Sequence, residues 1–134
     1  LRLYTELDNI DSEEGIEKFA LALEDRFGPR PRVVEELFEG LRLRWIARSL
    51  GFDRVTLKTT VLRCYFHKNA QSAYYESAIF DRLIKLLGSK GRVLDIQLKQ
   101  SATRLLMIKE KIKSMKSARE FLLSLQQMTE QETV

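Results

Sequence analysis

At 134 residues, 44% hydrophobic and 31% charged, the chain is long enough to bury about two-thirds of its unfolded surface without metal or disulfide support. Twenty-three basic against nineteen acidic residues leave a charge of +4, too mild and too dispersed to mark a nucleic-acid binder by charge alone. No apolar run approaches the roughly 18 residues of a membrane span, and a lone Cys64 forms no intrachain disulfide, which suits a reducing cytoplasm.

The chain opens at Leu1 with no charged-then-apolar leader, so the expectation is an internal fragment of a longer protein. Leu3, Leu7 and Ile10 recur at helical spacing and predict a short helix over residues 2–9. Asp11, followed three residues later by Glu14, signals the next helix start. Ile16, Phe19, Ala20, Leu23 and Phe27 then form an apolar stripe, with Glu14 and Lys18 paired on the solvent side. In Asp25-Arg26-Phe27-Gly28-Pro29-Arg30-Pro31, Phe27 closes that stripe and Gly28 supplies the left-handed backbone that stops the helix. The two prolines keep the connector extended until Pro31 can enter the first turn of a third helix. That helix runs to Leu50, with Val34, Leu37, Phe38, Leu41 and Trp45 inward and Gly51 as its stop. Leu23 and Trp45, each mid-stripe, are expected to be buried.

The period then changes. Val55 and Leu57, then Leu62, Cys64 and Phe66, alternate with polar neighbours and predict two strands around Thr59-Thr60. Residues 72–87 return to helical spacing, with Tyr75, Ile79, Leu83, Leu86 and Leu87 inward and Gly88 as terminator. A turn from Gly88 to Gly91 leads to a third strand carrying Leu94, Ile96 and Leu98, and Arg104–Lys109 reads as a fourth, where Leu106 and Ile108 share a face. Ser117 with Glu120 reads as a capping box for a last helix that buries Ala118, Phe121, Leu122 and Leu125 before a polar tail from Thr129. The order predicts an α+β fold: three N-terminal helices, then two strand-strand-helix units forming a small antiparallel sheet with helices packed on it. No linker divides residues 1–134, which read as a single domain.

Catalytic chemistry has little to stand on. His67 is the single histidine, and with Cys64 it supplies half of a zinc ligand set at most; a strand-end structural role is expected. Glu13, Glu14, Glu17, Glu24 and Asp25 lie outside the apolar stripe, where carboxylates are solvated or face a partner. Gly88 and Gly91 make neither a Walker loop nor a dinucleotide fingerprint, so no cofactor is expected here. Arg42, Arg44 and Arg48 on the third helix, beside Arg30 and Arg32, could bind phosphates, as could Lys109, Lys111, Lys113 and Lys116. Solvation and local pairing, such as Arg42 with Glu39, is the plainer use, because no aromatic residues interleave these cations.

The phrase around Gly28, together with Leu3-Tyr4, Glu6-Leu7, Leu41-Arg42 and Leu50-Gly51-Phe52, resembles the C-terminal domain of the bacterial transcription-repair coupling factors, the Mfd family. The match is close to about Val55 and then continues as a shared order of elements. The resemblance implies an ATP-driven DNA translocase as parent, acting on RNA polymerase and double-stranded DNA, with its motor motifs and ATP site upstream. It also implies that this domain docks on the N-terminal module of the same polypeptide and masks the surface that binds UvrA. Asp25 matches the aspartate of the family's Glu-Leu-x-Asp-Arg-Phe-Gly phrase, which makes Asp25, Arg26, Gly28 and Pro29 the expected interdomain contact. The acid one turn earlier is Ala22 here, and Glu24 points about a hundred degrees away from Asp25. The alternative role, an accessory nucleic-acid-binding domain of the same parent, would use Arg42, Arg44 and Arg48.

Overall fold

The computed structural model describes residues 2–132, with side chains described from 5 to 132. Three helices come first: α1 (Arg2–Asp8), α2 (Glu13–Phe27) and α3 (Arg32–Leu50). Strands β1 (Phe52–Lys58) and β2 (Val61–Phe66) follow, then a 3₁₀ turn at Ala73–Glu76 and helix α4 (Ala78–Lys90). Strands β3 (Ile96–Gln100) and β4 (Leu105–Lys109) precede the last helix, α5 (Met115–Gln131). The four strands form one antiparallel sheet in the order β1-β2-β4-β3. This is the α+β arrangement expected from the sequence. The side chain of Leu3 lies outside the described residues, as does that of Tyr4.

Period-two alternation explains the sheet. Leu62, Cys64 and Phe66 of β2 are wholly buried on one face, and across the ladder Cys64 pairs with Met107, also wholly buried. α3, α4 and α5 cover that face, with Leu50, Leu83, Leu86, Leu122 and Leu125 completing the larger core. A smaller core lies at the other end of α3, where Leu7, Ile16 and Ala20 close on Phe38 and Leu41. α3 therefore carries two buried faces. The single stripe read from sequence missed the second, which holds Leu43, Ala47 and Leu50.

Several boundaries differ from the sequence reading, each for a local reason. Ser12, not Asp11, caps α2, its hydroxyl accepting from Gly15 N–H at 3.1 Å. Ser114, one turn before the expected Ser117, caps α5 in the same way. Pro31 is the N-cap of α3 rather than its first helical residue. Residues 72–87 are two elements, because Ser77 is extended and its hydroxyl accepts the N–H of Phe80. Gly88 does not end α4, which continues to Lys90 and is followed by Gly91. β3 begins only at Ile96, after Leu94, and as an edge strand it leaves Leu98 44% exposed. The tail is helical through Gln131, and Thr129 is buried, its hydroxyl donating to Leu125 O at 2.7 Å.

The expected inward faces also need correction. Leu37, Ile79 and Phe27 are exposed. Leu23 and Trp45 are half-buried rather than enclosed, and Trp45 Nε1 donates to Ile10 O at 3.3 Å. Leu106 and Ile108 do share a face, but the large core takes Met107 on the other one.

Candidate interdomain surface

The α2–α3 corner is rigid by construction. Gly28 has φ +84°, which an L side chain rarely adopts, and its N–H closes the helix on Glu24 O at 2.7 Å. Arg30 then bridges both helices, 2.8 Å from Glu24 and 3.0 Å from Glu35, with its guanidinium 5.9 Å from the Phe38 ring centre. Such a planar donor fork fixes an angle that a lone surface pair would not. Glu24 is thereby committed to the corner and does not act as a second outward acid beside Asp25.

Asp25 itself is exposed and forms no ion pair or hydrogen bond with any described residue. Arg26 is exposed, lying 5.3 Å over the ring of Phe27, and Pro29 is exposed beside it. All four expected contact residues thus sit together on the α2 terminus and its turn. The sequence reading missed Leu21, one turn before Asp25 on the same outward face. It is 68% exposed, and Phe27 at the helix end is 64% exposed. Counting helical positions from the inward Ile16 and Ala20 would have placed Leu21 outward.

The arginines of α3 are used differently. Arg42 donates to both Glu13 carboxylate oxygens, at 2.6 and 3.1 Å, and to Glu39 at 3.3 Å. The hydrogen bond to Glu13 raises its pKa, burial opposes this, and the charges of Glu13 and Glu39 add to the rise. Glu39 also accepts from Arg119 of α5, so this cluster ties three helices together. Arg44 lies 3.7 Å from Asp8, while Arg48 has no carboxylate partner among the described residues. Arg44 and Arg48 border a groove of about 470 Å³ between α1, α3 and β1, whose walls also carry Asp8, Glu36 and Asp53. Arg54 lines the same groove, so its walls carry both signs of charge. Lys109 of the second basic group turns inward, its ammonium donating to Leu94 O at 3.0 Å.

The residues considered for chemistry have structural partners. Cys64 is fully buried, and burial pushes its thiol pKa up. It should therefore resist iodoacetamide at pH 8 in the native state and label only on denaturation; rapid native labelling would contradict this burial. His67 Nδ1 lies 2.9 Å from Ser72 Oγ, and its ring stacks on Tyr74 with centres 4.7 Å apart. Among the described residues, no three His, Cys, Asp or Glu side chains are grouped to hold a metal ion, and no helix is long and apolar enough to cross a membrane.

A search of curated proteins gives no match. Among solved structures, the crystal structure of the C-terminal domain of transcription-repair coupling factor is similar, with a TM-score of 0.64 and 19% identity. That likeness covers 98% of this chain and 81% of that one, and at such identity it establishes the fold. The sequence model of the TRCF domain matches residues 1–77, which include α1, α2, α3 and the first hairpin. Since that match spans more than half of the chain, the chain belongs to the TRCF domain family.

Proposed function

We propose that this domain is a non-catalytic, autoinhibitory module of a cytoplasmic transcription-coupled repair translocase. It docks on the N-terminal module of the same polypeptide through the outward face of α2 and masks the surface that binds UvrA. The parent acts with RNA polymerase on double-stranded DNA, and ATP belongs to its motor domains. The observation that supports this reading best is the pairing of exposed Leu21 with unpartnered Asp25 on a helix whose end is clamped by Arg30. An acid near a helix C-terminus faces partly negative carbonyls, so a cation on the docking partner would relieve a cost that the isolated domain bears. The leucine adds apolar area that only a partner can cover.

The test is made in the full-length parent with Asp25→Arg and, separately, Leu21→Asp. Both positions are exposed, so the fold should survive. UvrA binding without nucleotide or polymerase should rise about 5-fold or more in each, the scale of a coupling energy of roughly 1 kcal/mol. If both variants bind UvrA at the wild-type level while remaining folded, this face is not the clamp.

A further inference from the structure

The face of the sheet opposite the helices has a different character from the rest of the domain. Register places Arg54 opposite Tyr65, Tyr65 opposite Leu106, and Leu106 opposite Lys99. The neighbouring row reads Thr56, Arg63, Ile108 and Gln97. One row thus crosses all four strands, roughly 14 Å at the usual strand spacing. At its centre is Tyr65, with the guanidinium of Arg54 at 5.4 Å and that of Arg104 at 5.1 Å from the ring centre. Apart from Asp53, no strand residue on this face is a carboxylate. Asp53, the extra residue of the β1 bulge, borders it and is already held by Arg104 and the backbone N–H of Lys68. Arg54, Lys58, Arg63 and Lys99 have no carboxylate partner among the described residues. Beyond Arg104 the face continues into a cleft of about 240 Å³ whose lining includes Lys68, Gln100 and Thr103 and, again, no carboxylate.

An aromatic ring beside the unpaired Arg54, on a face that also carries the unpaired Lys58, Arg63 and Lys99, complements a polyanion with flat groups to stack. We propose that this sheet face binds single-stranded nucleic acid. Bases stack on Tyr65 and on the guanidinium planes of Arg54 and Arg63, while Lys58 and Lys99 at opposite edges contact phosphates; Arg104, held by Asp53 and Phe66 O, supports the ring. Stacking on aromatic rings and guanidinium planes is how unpaired bases are held on open sheets. A duplex fits less well, because a B-form major groove admits a helix or a two-stranded ribbon but not a four-stranded sheet. This surface is separate from the α2 face, so either reading can fail without the other.

The test uses the 134-residue chain and a fluorescein-labelled oligothymidylate of about 12 nucleotides, followed by anisotropy. Binding is expected at about 50 mM salt and should weaken as salt rises. Tyr65→Leu, which retains an apolar neighbour for Leu106, should weaken binding about 5-fold or more through lost stacking. The double variant Arg54→Gln with Arg63→Gln should weaken it further and flatten the salt dependence. This pair also tests the face if Tyr65→Leu proves unstable. Lys85→Gln, on the helix layer behind the sheet, should change nothing. Four results would each overturn the proposal. These are no binding at low salt, tighter binding of a duplex of equal length, equal competition by polyglutamate, or unaltered affinity in the folded sheet-face variants.

Discussion

Replacing Gly51 by alanine should destabilise the domain by roughly 2–6 kcal/mol, from backbone strain and overpacking together. Gly51 ends α3 in the left-handed region, at φ +99°, and its N–H closes on Arg48 O at 3.1 Å. A β-carbon there would also fall 2.0 Å from the Tyr74 ring. That ring cannot retreat freely. Its hydroxyl donates to Leu50 O at 2.6 Å, and it packs against Phe66, Phe80, Tyr75 and His67. Burial, with a smaller contribution from Tyr75, raises the Tyr74 pKa, so it remains a neutral donor at neutral pH. Urea denaturation measures the loss, and Gly88→Ala is the natural control. Gly88 lies within α4 with open space where a β-carbon would project, so alanine there should stabilise by about 0.5–1 kcal/mol. In a Tyr74→Ala background the steric part of the Gly51→Ala cost should vanish and the backbone part remain. An equal cost in both backgrounds would show that the ring contact is unimportant.

The legible parts of this fold were those written in hydrophobic period. The first hairpin was clear because Leu62, Cys64 and Phe66 alternate, even though its turn is Thr59-Thr60, both at positive φ, rather than the usual Asn-Gly. Capping positions were less legible, since Ser12 and Asp11 are adjacent and either oxygen could serve; only the three-dimensional path of the chain chooses. Phe27 belongs to the inward stripe by angle, yet it is the last residue of its helix and is left 64% exposed. Period says which face a residue occupies and not where the partner ends. The exposed Asp25 could be read from sequence, whereas the sheet face could not. Arg54 meets Tyr65 across the first hairpin, but Arg104 reaches the ring, and Lys99 joins the same face, only because β4 inserts beside β2. The search for aromatics among the cations looked at runs along the chain, and it did not extend to cations that the sheet assembles.

Phe38→Ala should loosen the α1–α2 end of the molecule while leaving the sheet in place. Phe38 is wholly buried and meets Phe19 edge-to-face, with ring centres 6.1 Å apart. Among the described residues it is the largest member of a cluster of five buried residues, against sixteen in the sheet core. Truncation to alanine costs about 3–5 kcal/mol in a core of this kind. The polar contacts that hold this segment also converge on α3: Arg42 with Glu13, Trp45 with Ile10 O, and Arg44 with Asp8. Local opening of α1 and α2 should therefore become favourable before global unfolding does. Hydrogen exchange should show α2 amides losing protection by about a hundredfold or more, with much smaller losses at β2 and β4. UvrA binding by the full-length parent should rise in the same variant, because Leu21 and Asp25 are presented only while α2 is packed. A uniform loss across helices and sheet would show that the two cores unfold as one cooperative unit. In that case the α2 surface could not be released without unfolding the whole domain.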